Sequence, residues 1–169
     1  MNIIEIFTKS LFLIISFDSD LWEIIILSLY VSISALIIAS ILGLLIGYYI
    51  ALKKFFFKSF ILIVLNSLMG IPPVVVGLIV YFMFASGGPF GVMQLLYTPT
   101  AMIIAQVIII FPIVTSISHE IFDQNWREFK DQLRSINMPF FGVAFIITKH
   151  SYFLVITALL SAFGRAISE

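Results

Sequence analysis

The sequence predicts an all-α integral membrane protein. Three observations carry that prediction: the composition, the spacing of the charges, and the proline and glycine breaks inside the apolar stretches. Of 169 residues, 62% are apolar and 11% are charged, and the mean hydropathy is +1.18. Soluble domains run at about 45–50% apolar and about 25% charged. A water-soluble fold of this size leaves too much surface exposed to hide such an excess. Intrinsic disorder is excluded as well, because it needs low hydrophobicity and high net charge. Nine basic residues balance nine acidic ones, and no basic block offers a nucleic acid its phosphate contacts. With no cysteine and two histidines, disulfides, thiolate metal sites, a cysteine nucleophile and a multi-histidine metal centre all drop out.

The elements follow from the gaps between charges. Residues 1–20 form an N-terminal segment too short to cross a bilayer and interrupted by Glu5 and Lys9. An interfacial helix with Ile3, Ile4, Phe7 and Leu11 toward lipid is one reading. A cleaved signal peptide is the other, although no small-x-small site precedes Asp18. The charge-free stretch 24–52 holds one span, near Leu21–Ala51. The charge-free stretch 59–118 is long enough for two, near Phe57–Ala85 and Thr100–Ser118, since a core of about 30 Å takes about 20 helical residues. A fourth span starts at Tyr152. Lys53, Lys54 and Lys58 place the first connection in the cytoplasm, as do Arg127, Lys130, Arg134 and Lys149 for the segment 119–150. The uncharged connection 86–99 and the N-terminus then lie outside. The chain is expected as a multi-pass protein of the cell membrane.

His119 to Lys149 is the one stretch that looks soluble. Ile121, Phe122, Trp126, Phe129 and Leu133 recur at the helical period. Asp131 stands four residues after Arg127 and three before Arg134, so exposed ion pairs worth a few tenths of a kcal/mol are feasible there. The helix should stop near Asn137, which tolerates the left-handed conformation, because Pro139 cannot continue the ladder. A second short helix then runs from Phe140 to about Thr148. Either the segment is a solvated connection or it is a docking surface; its length and its two-helix break favour docking.

Within the spans, Pro72-Pro73 sits in mid-membrane. Gly70 and Gly77 thin the same helix, permitting close approach of a neighbour. A packing kink and a pore-lining bend both fit. The stretch 86–91 turns sharply on the outside, where glycine supplies the dihedrals required. Arg165 and Glu169 are one helical turn apart after an apolar run, 151–164, of about 21 Å. Arg165 therefore either snorkels to the interface or sits beside a polar cavity, where it would ease passage of an anion while Glu169 restrains it. No catalytic constellation is present, and no phosphate loop of the GxxxxGK[ST] type.

These motifs carry a resemblance. Asp131-Gln-Leu-Arg-Ser-Ile-Asn137, nine further residues and Ile147-Thr-Lys-His150 have the spacing of the "EAA…G………I.LP" loop of ABC-transporter permeases. Asp131 stands for the glutamate, Gln132 and Leu133 for the alanines, Asn137 for the glycine, and Lys149-His150 for Leu-Pro. Gly70-Ile-Pro-Pro-Val-Val-Val-Gly-Leu78, Gly88-Pro-Phe-Gly91, the block 95–106 and Ala162-Phe-Gly-Arg-Ala-Ile-Ser-Glu169 follow in order. Together they resemble the permease subunit of tungstate-type oxyanion ABC importers, with the last block also similar to molybdate and sulfate permeases.

The resemblance implies the transmembrane domain of the type I ABC importer fold over residues 21–169. It implies a coupling loop at about 119–150, using Arg127, Asp131, Gln132, Arg134 and Asn137. Gly70, Pro72, Pro73, Gly77, Gly164, Arg165 and Glu169 become pore or gate candidates. The implied partners are an ABC ATPase that binds the ATP, an extracytoplasmic oxyanion-binding protein, a second permease copy and membrane lipid. No cofactor is expected in the chain itself. The family core has five spans where four are counted, so a final helix is expected to be missing. A small secondary carrier and a non-functional truncated permease are the alternatives.

Overall fold

A computed structural model describes residues 19–168, and the expectations for Met1–Phe17, Asp18 and Glu169 lie outside them. Six α-helices and one 3-10 turn follow in order: α1 Ser19–Leu52, α2 Lys58–Met69, α3 Pro73–Phe84, the 3-10 turn Gly91–Met93, α4 Pro99–Ser135, α5 Phe140–His150 and α6 Tyr152–Ile167. By length and composition α1 and α4 can each cross a membrane, and counting each bent pair, α2–α3 and α5–α6, as one span gives four.

The α1–α4 pair is the spine. Ala35, Ala39, Gly43, Gly47 and Ala51 recur every fourth residue on α1, and all five are buried. Lipid is as apolar as leucine, so helices in a membrane associate by close packing, and small residues permit it. A methyl group added at Gly43 would lie 2.8 Å from Val114 Cγ1. One added at Gly47 would lie 2.9 Å from the Thr115 carbonyl oxygen and 3.0 Å from the His119 nitrogen. Opposite them Ile110, Val114, Thr115 and Ser118 are fully buried. The sequence reading put close approach at Gly70 and Gly77 instead. Gly77 would meet nothing within 4 Å, and Gly70 only the Ser67 oxygen of its own turn at 3.5 Å. The small-residue contact belongs to the first span.

The expected span Phe57–Ala85 is two 12-residue helices meeting at 100°. Each is about 18 Å long, so the segment bends at a right angle where a kink was expected. The cause is the doubled proline. Pro73 drives Pro72 into an extended conformation, ψ 133°, and neither ring nitrogen carries a proton for the ladder. Pro73 then starts α3 at the position where proline is best tolerated.

Outside the spine, the connection 85–98 turns without a positive-φ glycine; Gln94 and Tyr97 take the left-handed conformations. Gly88 is required for space, since a methyl group there would run into the Phe82 and Met83 carbonyls. Thr98 caps α4, its hydroxyl accepting from the Ala101 amide at 3.4 Å, with Pro99 in the first turn. α4 then runs unbroken for 37 residues, through Pro112, so the third span and the polar helix are one rod. It ends as expected. Asn137 adopts φ 48°, its amide donates to the Arg134 oxygen, and the Met138 amide donates to the Leu133 oxygen; that is the Schellman closure. α5 and α6 meet at 79° across Ser151.

Candidate functional site

The segment 119–150 is built on the free end of α4 with α5 folded against it. Ile121, Phe122 and Leu133 bury one face against Val143 and Ile147 of α5, Val155 of α6 and Tyr48 of α1. Tyr48 meets Phe122 edge-on, ring centroids 5.6 Å apart. His150 ends α5 with its ring 4.8 Å from that of Phe129. Leu133, bulkier than the alanine it stands for, therefore faces inward. Arg127, Asp131, Gln132, Arg134 and Asn137 are all exposed, so the structure does bring the coupling-loop candidates to one free end of the bundle.

Arg127 and Arg134 take partners other than Asp131. Arg127 Nη2 turns back one helical turn to Asp123 Oδ2, at 2.7 Å, and the Arg134 guanidinium lies 5.6 Å from the centre of the Trp126 ring. A cation on an aromatic face keeps its packing without an acid nearby. Asp123 also takes Lys58 Nζ on Oδ1 at 3.1 Å, and the same Nζ donates to the Ala51 oxygen at 3.3 Å. Burial raises the Asp123 pKa, but the Lys58 hydrogen bond and the Lys58 and Arg127 charges outweigh it, and the carboxyl is held below the usual range.

Sequence reasoning missed the Lys58–Asp123 pair, although the signal was present. Two spans inside the stretch 59–118 return the chain to its starting side, so its flanking charges share that side, although which of them pair is set by the fold. The link joins the two lysine- and arginine-bearing stretches at one end of the bundle, in keeping with a common side for both. Two turns along, Ser116 Oγ donates to Asn66 Oδ1 at 2.9 Å. Between the two links lies a cavity of about 520 Å³ lined by Asn66, Ser116, His119, Glu120, Asp123 and Arg127 among others.

The pore candidates divide. Pro73 and Gly77 line a second cavity, about 590 Å³, together with Ser28 and Ser32 of α1, Gln106 of α4 and Ala166 of α6. Gln106 Nε2 donates to the Ala166 oxygen at 3.3 Å and so ties α4 to the end of α6. Gly70, Pro72, Gly164 and Arg165 are not in that wall. Arg165 is half-buried in the last turn of α6, and the polar groups of the wall are neutral. Among the described residues no cluster of histidine and acidic side chains is placed to hold a metal.

A family model described as a binding-protein-dependent transport system inner membrane component matches residues 40–169. The chain is 36% identical over 142 residues to a probable anion ABC transporter permease protein of Haloferax volcanii, covering 84% of this chain and 61% of that relative. It is 35% identical over 167 residues to the tungstate uptake system permease protein TupB of Peptoclostridium acidaminophilum, covering 99% of this chain and 73% of the relative. A TupB of Campylobacter jejuni is 28% identical over 116 residues, covering 69% of this chain and 48% of its own length. The chain thus spans between about half and three quarters of the curated relatives it matches.

Proposed function

The chain belongs to the binding-protein-dependent transport system inner membrane components, and from that premise we propose that it forms the transmembrane path of an ATP-driven oxyanion importer. Membership sets aside the secondary-carrier alternative. Tungstate is the proposed substrate, with molybdate and sulfate as the related tetrahedral dianions; the relatives named as tungstate and anion permeases support that choice. In this reading an external binding protein delivers the oxyanion at the 85–98 side. A separate ATPase supplies the hydrolysis, and two permease copies enclose the path. The N-terminus lies outside.

The observation that carries the reading is α4 itself. One rigid rod begins in the apolar bundle, leaves it, and ends at Asn137 with Arg127, Asp131 and Arg134 exposed. A cytoplasmic partner that moves this end moves the membrane part with it, which is what alternating access requires. Gly70, Pro72, Pro73, Gly77, Gly164, Arg165 and Glu169 are proposed to belong to the path or its gate, Pro73 and Gly77 with cavity geometry in support.

Uptake of radiolabelled tungstate by cells expressing the permease together with an ABC ATPase and an oxyanion-binding protein tests the reading. Uptake should be ATP-dependent and competed by molybdate more than by phosphate. Uptake unchanged by deleting the permease would overturn it. Orientation has a separate test in this cysteine-free chain: Ser86→Cys should react with an impermeant maleimide outside intact cells and Ser135→Cys should not.

A further inference from the structure

The seam between α2 and α4 goes one step further, resting on the permease reading. We propose that Asp123 is the positioning residue that ties the moving end of α4 to α2, and through α2 to the break at Pro72–Pro73. Apolar packing holds α2 only lightly, with Leu65 buried and Ile61, Leu62 and Met69 half-buried. Polar links add to it, Lys58–Asp123 at its start and Asn66–Ser116 two turns later, with the 520 Å³ cavity between them.

Asp123 suits the role because both its oxygens are engaged. Oδ1 takes Lys58 at 3.1 Å and Oδ2 takes Arg127 at 2.7 Å. Arg127 fixes the carboxylate on α4. Lys58, through its further bond to the Ala51 oxygen, joins the end of α1 to the start of α2 at that carboxylate. From Asp131 to Asp123 is about 12 Å along one unbroken helix, so a displacement at the exposed end reaches Asp123 without crossing a loop. At Asp123 it passes to Lys58 by a charge-assisted bond, the stronger class. α2 then delivers it to the hinge formed by Gly70, Ile71 and Pro72, where α3 turns through 100°. The α2–α4 contact can lengthen or slide because a cavity lies in it, while its ionic end keeps the two helices in register.

The test uses the permease assembled with its ATPase in proteoliposomes and supplied with the oxyanion-binding protein, reading tungstate uptake and ATP hydrolysis together. Lys58→Met and Asp123→Asn should leave hydrolysis near wild type and lower uptake per ATP roughly tenfold. Lys58→Arg, which keeps the charge, should retain most of it. Wild-type uptake per ATP in Lys58→Met and Asp123→Asn, or equal loss in Lys58→Arg and Lys58→Met, would overturn the proposal. A second measurement needs no transport. With spin labels at Leu62→Cys and Gln124→Cys, both in the cavity wall, the distance should stay constant when a non-hydrolysable ATP analogue is added. In the Asp123→Asn background it should shift or broaden. Identical distributions in the two backgrounds would overturn the clamp. Absence of tungstate uptake by the unsubstituted complex would overturn the oxyanion reading, and the label distances then decide the clamp by themselves.

Discussion

α4 is held by two neighbours in two different ways. Against α1 it meets a stripe of alanine and glycine, backbone to backbone, and the atoms nearest a methyl group at Gly47 are the Thr115 carbonyl oxygen, the His119 nitrogen and Ser118 Cβ. Against α2 it meets a cavity bridged by an ion pair and one side-chain hydrogen bond. A contact of the first kind has no slack, because close-packed interiors are not continuously deformable. A contact of the second kind can change its geometry while its polar ends stay bonded. The difference makes α1 and α4 one rigid unit, and leaves any change of geometry to that unit's contact with α2 and α3 beyond the ionic end.

The largest effect should come from attacking the rigid contact. Gly47→Leu must push α1 and α4 apart at backbone atoms, and overpacking of this kind costs about 1–3 kcal/mol or more. Thermal unfolding in detergent should drop by several degrees, and Gly43→Leu should behave alike. Gly77→Ala, whose methyl group meets open space, should stay within about 0.5 kcal/mol of wild type, as uncrowded substitutions do. Equal destabilisation at Gly47 and Gly77 would erase the distinction between the two regions.

Next in size is the end of the rod. Asn137 holds φ 48°, where a β-branched side chain costs about 1–2 kcal/mol and glycine costs nothing. Asn137→Val should loosen the α4–α5 turn, seen as faster amide exchange at Asn137 and Met138, whose amides make the closing bonds. Asn137→Gly should leave exchange unchanged. Loss of protection in both variants would mean that the asparagine side chain, not the dihedral, closes the helix.

Much of this was legible in the sequence. Charge-free stretches located the spans, and Asn137 with Pro139 located the end of α4 to within two residues. Doubled prolines marked the break, yet the angle was not readable, because it depends on how Pro73 constrains Pro72 and on what each half then packs against. The small-residue stripe at 35, 39, 43, 47 and 51 was readable in principle, as a strict four-residue spacing. The Lys58–Asp123 link joins residues 65 positions apart and needed the folded hairpin to appear. Ion pairs drawn along one helix from spacing alone failed because Arg127 had an acid on either side, and Lys58 of a second helix, α2, fixes Asp123 as its partner.

A smaller effect belongs to the seam's uncharged link. Ser116→Ala removes the 2.9 Å bond to Asn66 and leaves one amide oxygen beside a polar cavity that water can enter. The net worth of such a bond is about 1 kcal/mol. The unfolding midpoint should fall by a degree or two, less than for either glycine variant. A fall as large as that of Gly47→Leu would mean the seam is as tightly packed as the spine.

The smallest effect expected is that of pH on the seam. The groups facing Asp123 are Lys58 from α2, and His119, Glu120 and Arg127 from α4. Asp123 has its pKa depressed by Lys58 and Arg127, so its ionised form is favoured by folding. A depressed carboxyl contributes stability in full above its unfolded value, about 3.9, and loses it only as pH falls through the lower folded value. Between about pH 5 and pH 8 the clamp should therefore not titrate. The Leu62→Cys–Gln124→Cys distance should be flat across that range and change only below about pH 4. Burial and the Lys58 charge hold His119 below the ordinary histidine value of about 6.5, so a transition on the acid side of that value but above the carboxyl range would show that His119, on the same cavity wall, governs the α2–α4 spacing, and would move the control of the seam from the Asp123 ion pair to that ring.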